Sequence, residues 1–254
     1  MRIVVLVKAV PTVGNERMGA DGRVERGALE PNGADEYGLE AALRIAETGD
    51  ASVTLLSMGP PAAAEALRKG LAMGATDAVL VTDPALGGLD LRGTVTVLAA
   101  ALRSLAWDVC IAGTDTSDGG AGIVGAALAA RLGLPLLAPA NAIHPGAGHV
   151  RIERTGTAGD EVLEAPTPAV IVGTQLLGDP RYPSLRGIMA ARSKAIATRS
   201  CADLGLDPAT LTPGTRLEAT RVPPARAGAT VVRPATPAEG AAAIVGFLGE
   251  RGLR

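Results

Sequence analysis

The strongest constraint on the fold is a continuous apolar run at residues 3–7, Ile-Val-Val-Leu-Val. β-Branched and aliphatic side chains without polar alternation are typical of a strand that is buried on both faces, as in a parallel sheet. A polar, glycine-containing loop follows, and then a helical pattern at 35–48, in which Leu39, Leu43 and Ile45 supply an apolar side. The chain therefore predicts a strand, a loop and a helix as its first unit.

The same alternation of strand and helix repeats further along the chain. Strands are predicted at 52–57, 78–81 and 107–112, and helices at 62–73, 92–105 and 121–132. Parallel strands need a crossover between them, usually a helix. This order therefore predicts an α/β fold with a doubly wound, mostly parallel, Rossmann-like sheet.

Beyond residue 136 the pattern changes to short strands separated by Pro, Gly and Asn. The candidates lie at 142–143, 150–154, 161–164 and 169–172. Short strands with prolines nearby are typical of sheet edges. We expect all four to form hairpin-like additions at the edge of the main sheet.

The C-terminal part of the chain is rich in proline, with Pro208, Pro213, Pro223, Pro224, Pro234 and Pro237. Proline disfavours packed helix and favours extended backbone. At the end, residues 238–253 have a helical pattern in which Ala242, Val245 and Leu248 share a side, with Phe247 beside them. We therefore expect an α/β domain over 1–200 and an extended arm over 201–254 that carries a short helix.

Composition excludes several classes of function. Aromatic residues make up 2% of the chain and its formal net charge is −2 with interspersed signs, which does not favour binding to nucleic acid. The uncharged stretch at 132–150 is interrupted by prolines and polar residues, and the first apolar run ends at Lys8, so neither membrane insertion nor a secretory signal is predicted. Cys110 and Cys201 have no neighbouring cysteine, which favours a reducing cytoplasm.

A ligand in such a sheet is expected beyond the carboxyl ends of the strands, where helices present unpaired backbone N–H groups. Three turns lead to this edge, at 6–10, 58–60 and 113–122. The last is rich in glycine and carries hydroxyl side chains, a pattern that suits a phosphate but also simple turn geometry. Its spacing matches neither a P-loop nor the Gly-x-Gly-x-x-Gly fingerprint.

The sequence offers no evident catalytic constellation. His144 and His149 flank a predicted turn and are interpreted as solvated, while Asp115 and Asp118 are either helix caps or contacts to a ribose or a water. No redox-active side-chain motif is present, so any electron chemistry is expected to belong to a bound cofactor. A catalytic triad and a metal site are not predicted.

Residues 180–194, Pro-Arg-Tyr-Pro-Ser-Leu-Arg-Gly-Ile-Met-Ala-Ala-Arg-Ser-Lys, closely resemble the signature of the electron transfer flavoprotein β subunit family. Further similarities lie at 5–8 (Val-Leu-Val-Lys), at 35–36 (Asp-Glu) and at 70–75 (Gly-Leu-Ala-Met-Gly-Ala). The resemblance implies a non-catalytic electron-carrier subunit that pairs with an α subunit. In that family α holds most of an FAD, and β buries an adenine nucleotide, usually AMP.

The resemblance implies that the nucleotide is lined by the same strand-end turns and by the loop that opens the first helix. The implied contacts are Leu6, Asn32, Gly33, Ala34, Asp35, Met58, Gly113, Thr114, Asp115, Thr116, Ser117, Asp118, Gly119, Gly120, Ala121, Gly122, Ile123 and Val124. In relatives that split electron pairs, a second FAD replaces the AMP, and this alternative remains open. A free-standing nucleotide-binding sensor of the same fold is the other alternative.

The resemblance also implies docking surfaces. Residues 180–200 would form a recognition loop in which Leu185 enters a pocket on a flavin dehydrogenase, surrounded by Ile188, Met189, Arg192 and Lys194. Electrons would then pass to a downstream quinone oxidoreductase or similar acceptor. The arm at 201–254 is expected to wrap the α subunit. Two segments depart from the family. In the loop, Asp115 and Ile123 stand where glutamines are common and 118–120 (Asp-Gly-Gly) where consecutive acids are common, and Thr155 stands where glutamate is common.

Overall fold

The computed structural model describes residues 1–12, 14, 17–221, 224 and 228–253. Pro223 of the proline-rich tract and Arg254 at the end of the predicted arm lie outside the described residues. The helices are α1 (Gly33–Thr48), α2 (Ala64–Met73), α3 (Leu91–Arg103), α4 (Val124–Leu132), α5 (Leu185–Ser193) and α6 (Pro237–Glu250). The strands are β1 (Arg2–Leu6), β2 (Ala9–Pro11), β3 (Leu29–Pro31), β4 (Ser52–Met58), β5 (Asp77–Val81), β6 (Val109–Gly113), β7 (Leu136–Ala140), β8 (Ala142–Pro145), β9 (His149–Gly156), β10 (Gly159–Pro166), β11 (Ala169–Gly173) and β12 (Ala197–Arg199).

The main sheet of the described residues has seven strands in the order β12-β5-β4-β1-β6-β11-β7. Every neighbouring pair in it is parallel. From β1 the chain moves outward to β4 and β5 on one side, and then crosses to β6 on the other side. The order of the strands therefore reverses between β1 and β6, where a crevice opens at the carboxyl ends of the strands.

Helices cover both faces of this sheet, which confirms the predicted doubly wound α/β fold. In β1, Ile3 and Val5 pack into a core with α1 and α2, whereas Val4 and Leu6 pack into a second core with α3 and α4. This alternation follows from the two-residue period of a strand, and both faces need apolar side chains because both are covered. The continuous run at 3–7 is explained in this way.

The region beyond residue 136 is only partly as predicted. The strands β8, β9 and β10, which contain the candidates at 142–143, 150–154 and 161–164, form a separate antiparallel sheet in the order β10-β9-β8. The prediction for 169–172 was wrong: β11 lies inside the main sheet, between β6 and β7. Its run Ala-Val-Ile-Val is buried on both faces of the sheet, as an interior parallel strand requires.

The chain divides into two compact units, Met1–Leu217 and Glu218–Arg254. Part of the predicted arm, residues 201–217, belongs to the first unit, where Cys201 and Leu211 are buried in the core with α3. The second unit contains α6, in which no side chain is buried. No helix of the described residues is long and apolar enough to cross a membrane.

Candidate functional site

The crevice at the sheet's switch point brings together two of the predicted turns and the loop that opens α1. β1 and β6 are direct neighbours, so the chain after Leu6 lies beside the loop 113–124. Asn32 and Asp35 at the start of α1 contact both segments through hydrogen bonds. The predicted residues at 6, at 32–35 and at 113–124 are therefore assembled at one place in the fold.

Asn32 is the central connector of this site. Its side chain is 2% exposed, and its amide Nδ2 donates to the carbonyl oxygen of Asp115 at 2.7 Å. Its Oδ1 accepts the backbone N–H of Ser117 at 3.2 Å, and its own backbone N–H donates to the carbonyl of Lys8 at 2.9 Å. One buried amide thus joins the end of β1, the start of α1 and the glycine-rich loop.

Asp35 is a buried carboxylate at the same junction. Its Oδ2 accepts the backbone N–H of Lys8 at 2.8 Å. Burial raises the pKa of Asp35 to about 7, although hydrogen bonds from the backbone of Lys8, the side chain of Asn32 and the backbone of Gly113 oppose this rise. A Cβ at Gly113 would collide with the Asp35 carboxylate and with the backbone of Ala34, so glycine is required where β6 ends.

A small charge network lies beside the loop. Lys8 Nζ contacts Asp118 Oδ1 at 2.6 Å, and Arg26 Nη2 contacts Asp118 Oδ2 at 3.2 Å. The Asp118 side chain is 3% exposed, whereas both cations are about one-third exposed. Burial pushes the pKa of Asp118 upward, but the hydrogen bond and ion pair with Lys8 outweigh this effect and hold the pKa below its usual value. Lys8 and Arg26 thus place two cations beside the loop, which itself carries the carboxylates of Asp115 and Asp118.

Sequence reasoning did not identify the side chains of Lys8 and Arg26 as part of the site. Lys8 gave a weak signal, because it directly follows a strand that leads to the crevice. Arg26 gave none, since it lies in a loop 92 residues before Asp118 in the chain.

The loop 113–124 exposes a series of backbone donors. Gly120 and Gly122 have left-handed φ values of 56° and 60°, and Asp115 Oδ1 accepts the N–H groups of Thr116 and Gly122. In the part of the chain that the structure describes, some N–H groups of the loop and of the first turn of α4 have no protein acceptor, namely those of Asp118, Gly119, Ala121, Ile123, Val124, Gly125 and Ala126. Free N–H groups at a helix N-terminus, with the cations of Lys8 and Arg26 nearby, are suited to an anion.

The predicted apolar contacts lie at the ends of neighbouring strands. Leu6 is buried and Met58 is half-buried, and both pack on the α3/α4 side of the sheet. Ile123 is largely exposed at the end of the loop. The buried hydroxyl of Ser57 has no hydrogen-bond partner among the described residues. Because successive strand residues alternate, Ser57 is expected on the opposite face of the sheet from Met58. An apolar surface suited to a base therefore borders the polar loop.

A cavity of about 280 Å³ lies next to this loop, on the side of β11. Its lining includes Ala34 and Thr114 of the predicted site, together with Tyr37, Asn141, Thr174, Gln175 and Leu176. The hydroxyl of Thr174 donates to Asn141 Oδ1 at 2.8 Å, and Asn141 Nδ2 donates to Thr155 Oγ1 at 3.2 Å. Thr155, one of the two departures from the family pattern, is thus hydrogen-bonded within this chain.

The predicted docking residues lie apart from the loop 113–124, on α5 and, for Lys194, directly after it. Leu185 is 77% exposed and Met189 is 59% exposed, and Ile188 and Arg192 are also exposed. Lys194 differs from them because its Nζ donates to the carbonyl of Ala75 at 2.8 Å. Four of the five predicted residues therefore face solvent, while the ammonium of Lys194 is used inside the chain.

The two histidines do not meet at a catalytic centre. His144 lies in β8 and contacts Glu153 at 2.8 Å, and His149 begins β9 and contacts the carbonyl of Ala147 at 3.2 Å. The described residues contain no cluster of His, Cys, Asp and Glu that could hold a metal ion.

Comparison with known proteins identifies the family that the chain resembles. The family model described as "Electron transfer flavoprotein domain" matches residues 23–204. The chain is 38% identical over 215 residues to the electron transfer flavoprotein subunit beta of Mycobacterium leprae, with 81% of each chain covered. It is 34% identical over 248 residues to the protein of the same name in Megasphaera elsdenii, covering 92% of each chain. It is also 34% identical over 261 residues to the caffeyl-CoA reductase-Etf complex subunit CarD of Acetobacterium woodii, covering 99% of each.

The matched region contains the loop 113–124, the connector Asn32, the buried Asp35 and the exposed face of α5. The sequence signature at 180–194 also lies within this matched part, whereas Leu6 and Lys8 precede it. The chain belongs to the electron transfer flavoprotein β subunit family.

Proposed function

We propose that this chain is the AMP-binding subunit of a heterodimeric electron transfer flavoprotein and works as an electron carrier without catalysis of its own. The observation that carries the nucleotide assignment is the loop 113–124, with its free N–H groups and the neighbouring Lys8 and Arg26. The electrons would reside on the FAD of the α subunit. The family membership supports this division of roles.

The residues present fit a nucleoside monophosphate. The N–H groups at the start of α4 would hold the phosphate, and the neighbouring cations Lys8 and Arg26, which both pair with Asp118, would add favourable charge. The apolar ends of β1 and β4, at Leu6 and Met58, would contact the base. Asn32 would hold the loop in its binding conformation before the ligand arrives, which lowers the entropic cost of binding.

A second candidate is an electron-bifurcating carrier in which FAD replaces AMP in this chain. One observation favours it: the Acetobacterium woodii relative belongs by name to a caffeyl-CoA reductase-Etf complex and matches the whole length of the chain. The strand-end loop suits either ligand, because both carry an adenosine phosphate. Identification of the bound nucleotide separates the two candidates.

The α5 surface would receive the donor dehydrogenase. Exposure of an apolar side chain such as Leu185 to water is unfavourable in the free protein. Such a side chain is typical of an anchor that enters a partner's pocket. The exposed Arg186 and Arg192 would steer an acidic partner toward this surface. A downstream quinone oxidoreductase or similar acceptor would take the electrons, and the complex would work in the cytoplasm.

The second unit would bind the α subunit. In α6 the side chains of Ile244, Val245 and Phe247 are about half exposed or more, and no side chain of the helix is buried. Thr236 Oγ1 accepts the N–H of Glu239, and Glu239 accepts the N–H of Ala235, the residue before the N-cap, an arrangement similar to a capping box that stabilises the helix. A well-capped helix with uncovered apolar side chains is suited to a protein partner.

The test is co-expression with the candidate α subunit, followed by release and mass-spectrometric identification of the nucleotides. We expect a stable heterodimer with one FAD and one AMP. Two FAD molecules and no AMP would establish the bifurcating candidate. A chain that purifies alone, or a heterodimer without a second nucleotide, would contradict the proposal.

A further inference from the structure

The docking helix α5 is fixed closely to the body of the first unit. Ala191 of α5 is buried, and a Cβ at Gly187 would collide with the carbonyl oxygen of Ala72 at the end of α2. At its C-terminal end, Arg68 Nη1 donates to the carbonyl oxygens of Ala191 and Lys194, each at 2.7 Å. One side of α5 is therefore closely packed, while Leu185 and Met189 remain on the exposed side.

An ion-pair network fixes the other end of this segment. Arg181 precedes α5 by four residues, and its Nε contacts Glu40 Oε2 at 2.8 Å. The backbone N–H of Arg181 donates to the same Glu40 oxygen at 3.1 Å, and its guanidinium also contacts Glu47. Glu40 and Glu47 lie on one face of α1, because seven residues make two helical turns. A single arginine thus spans two carboxylates of α1.

Because Glu40 is buried, few arrangements of this ion-pair network are possible. Its side chain is 3% exposed and also contacts Arg44 Nε at 2.7 Å. Burial alone would raise the pKa of Glu40, but hydrogen bonds from Arg181 and Arg44 outweigh burial and lower it. A buried carboxylate must keep its partners because an unpaired buried charge is strongly unfavourable. Arg181 is therefore constrained to one position, and the chain that follows it leads directly into α5.

We propose that Arg181, held by Glu40 and Glu47, is a positioning residue that fixes the orientation in which α5 presents Leu185 and Met189 to the partner dehydrogenase. The inference deepens the proposed function and rests on its assignment of α5 as the docking surface. It assigns Arg181 a role different from that of the exposed arginines, because its charge is neutralised within the chain. The effect of Arg181 on docking is expected to act through the order of α5.

The test compares Arg181→Gln with Arg186→Gln in the purified heterodimer. Arg186 is a matched control, since it lies in the same segment, is exposed and has no ion pair among the described residues. Hydrogen exchange of the amides at 185–193 should become at least about tenfold faster in Arg181→Gln, because local opening no longer has to break the network. In Arg186→Gln the exchange should stay slow.

Kinetics give the second readout, with the dehydrogenase that reduces the wild-type heterodimer as the probe. Arg181→Gln should raise the KM for the heterodimer about tenfold with little change in kcat, and the defect should persist at high salt because it is structural. The defect of Arg186→Gln should shrink at high salt, as expected for electrostatic steering. Arg181→Lys, which keeps the charge but not the planar fork, should recover only part of the KM.

Glu47→Gln protects the test against misfolding, since Glu47 is 57% exposed and its replacement removes only the outer partner of Arg181. It should change exchange and KM in the same direction and to a smaller extent. Leu185→Ala distinguishes a failure of α5 as the docking surface from a failure of Arg181 as the positioning residue. If Leu185→Ala does not impair reduction, α5 is not the docking surface and the proposed function fails there. If Leu185→Ala impairs it while Arg181→Gln changes neither exchange nor KM, the positioning role is refuted.

Discussion

Replacement of Asn32 by alanine should detach the loop 113–124 from α1. Asn32 is buried, and the substitution removes its two side-chain hydrogen bonds to the loop, to the carbonyl of Asp115 and from the N–H of Ser117, as well as its hydrogen bond to Asp35. Each such bond contributes about 1 kcal/mol, and water can replace them because Asp115 and Ser117 are exposed. If nucleotide binding must supply about 2 kcal/mol to order the loop again, nucleotide affinity falls about 30-fold.

Isothermal titration of the nucleotide-free heterodimer with AMP measures this change directly. Asn141→Ala is the matched control, because Asn141 also makes two side-chain hydrogen bonds, to Thr155 and from Thr174, and none to the loop 113–124. Circular dichroism establishes that both variants keep the fold. If Asn32→Ala binds AMP within about threefold of the wild type, the connector role argued from these hydrogen bonds is incorrect.

Three further predictions concern other parts of the chain. Gly122→Val should lose the nucleotide while the protein stays folded, because a β-branched residue is strained at φ 60°; unchanged AMP content would count against this. The raised pKa of Asp35 means that, between about pH 4 and pH 7, the folded state keeps a proton that the unfolded state releases. The contribution of Asp35 to the free energy of unfolding therefore falls as the pH rises through this range. In the nucleotide-free chain, the unfolding free energy of the wild type minus that of Asp35→Asn should therefore fall by about 2 kcal/mol between about pH 5 and pH 7, and denaturant melts that show a constant or rising difference would refute this. Truncation after Leu217 removes the second unit and should abolish stable binding to the α subunit with little change in the spectrum of the first unit; unchanged affinity would show that the arm is dispensable.

Local patterns were sufficient for the main-sheet strands and their helices in the first half of the chain, but not for β2 and β3, which pair within the stretch predicted as a polar loop. The strands at β1, β4, β5 and β6 and the helices between them lie within a few residues of their predicted positions. Such elements are readable because burial on both faces of a sheet, and on one side of a helix, imposes its period on neighbouring residues. Helix α4 begins later than predicted, at Val124, because Gly120 and Gly122 adopt left-handed backbone that a helix cannot contain.

The role of β11 could not be read from its own residues. Its apolar run resembles that of any buried strand, and only the pairing with β6 on one side and β7 on the other places it inside the sheet. The proline- and glycine-containing context suggested an edge strand, but tertiary pairing prevailed. Strand order depends on contacts between distant segments, which periodicity does not record.

By itself, the sequence determined the doubly wound α/β class, the strand-end turns and the similarity to the electron transfer flavoprotein β subunits, because these depend on residues that are close along the chain. Only the tertiary structure decided which charges meet. Asp118 contacts Lys8 across 110 residues, and Arg181 contacts Glu40 across 141 residues. An ion pair leaves no periodic trace in sequence, since each partner is an ordinary charged residue until the fold buries one of them and brings the other within hydrogen-bond distance.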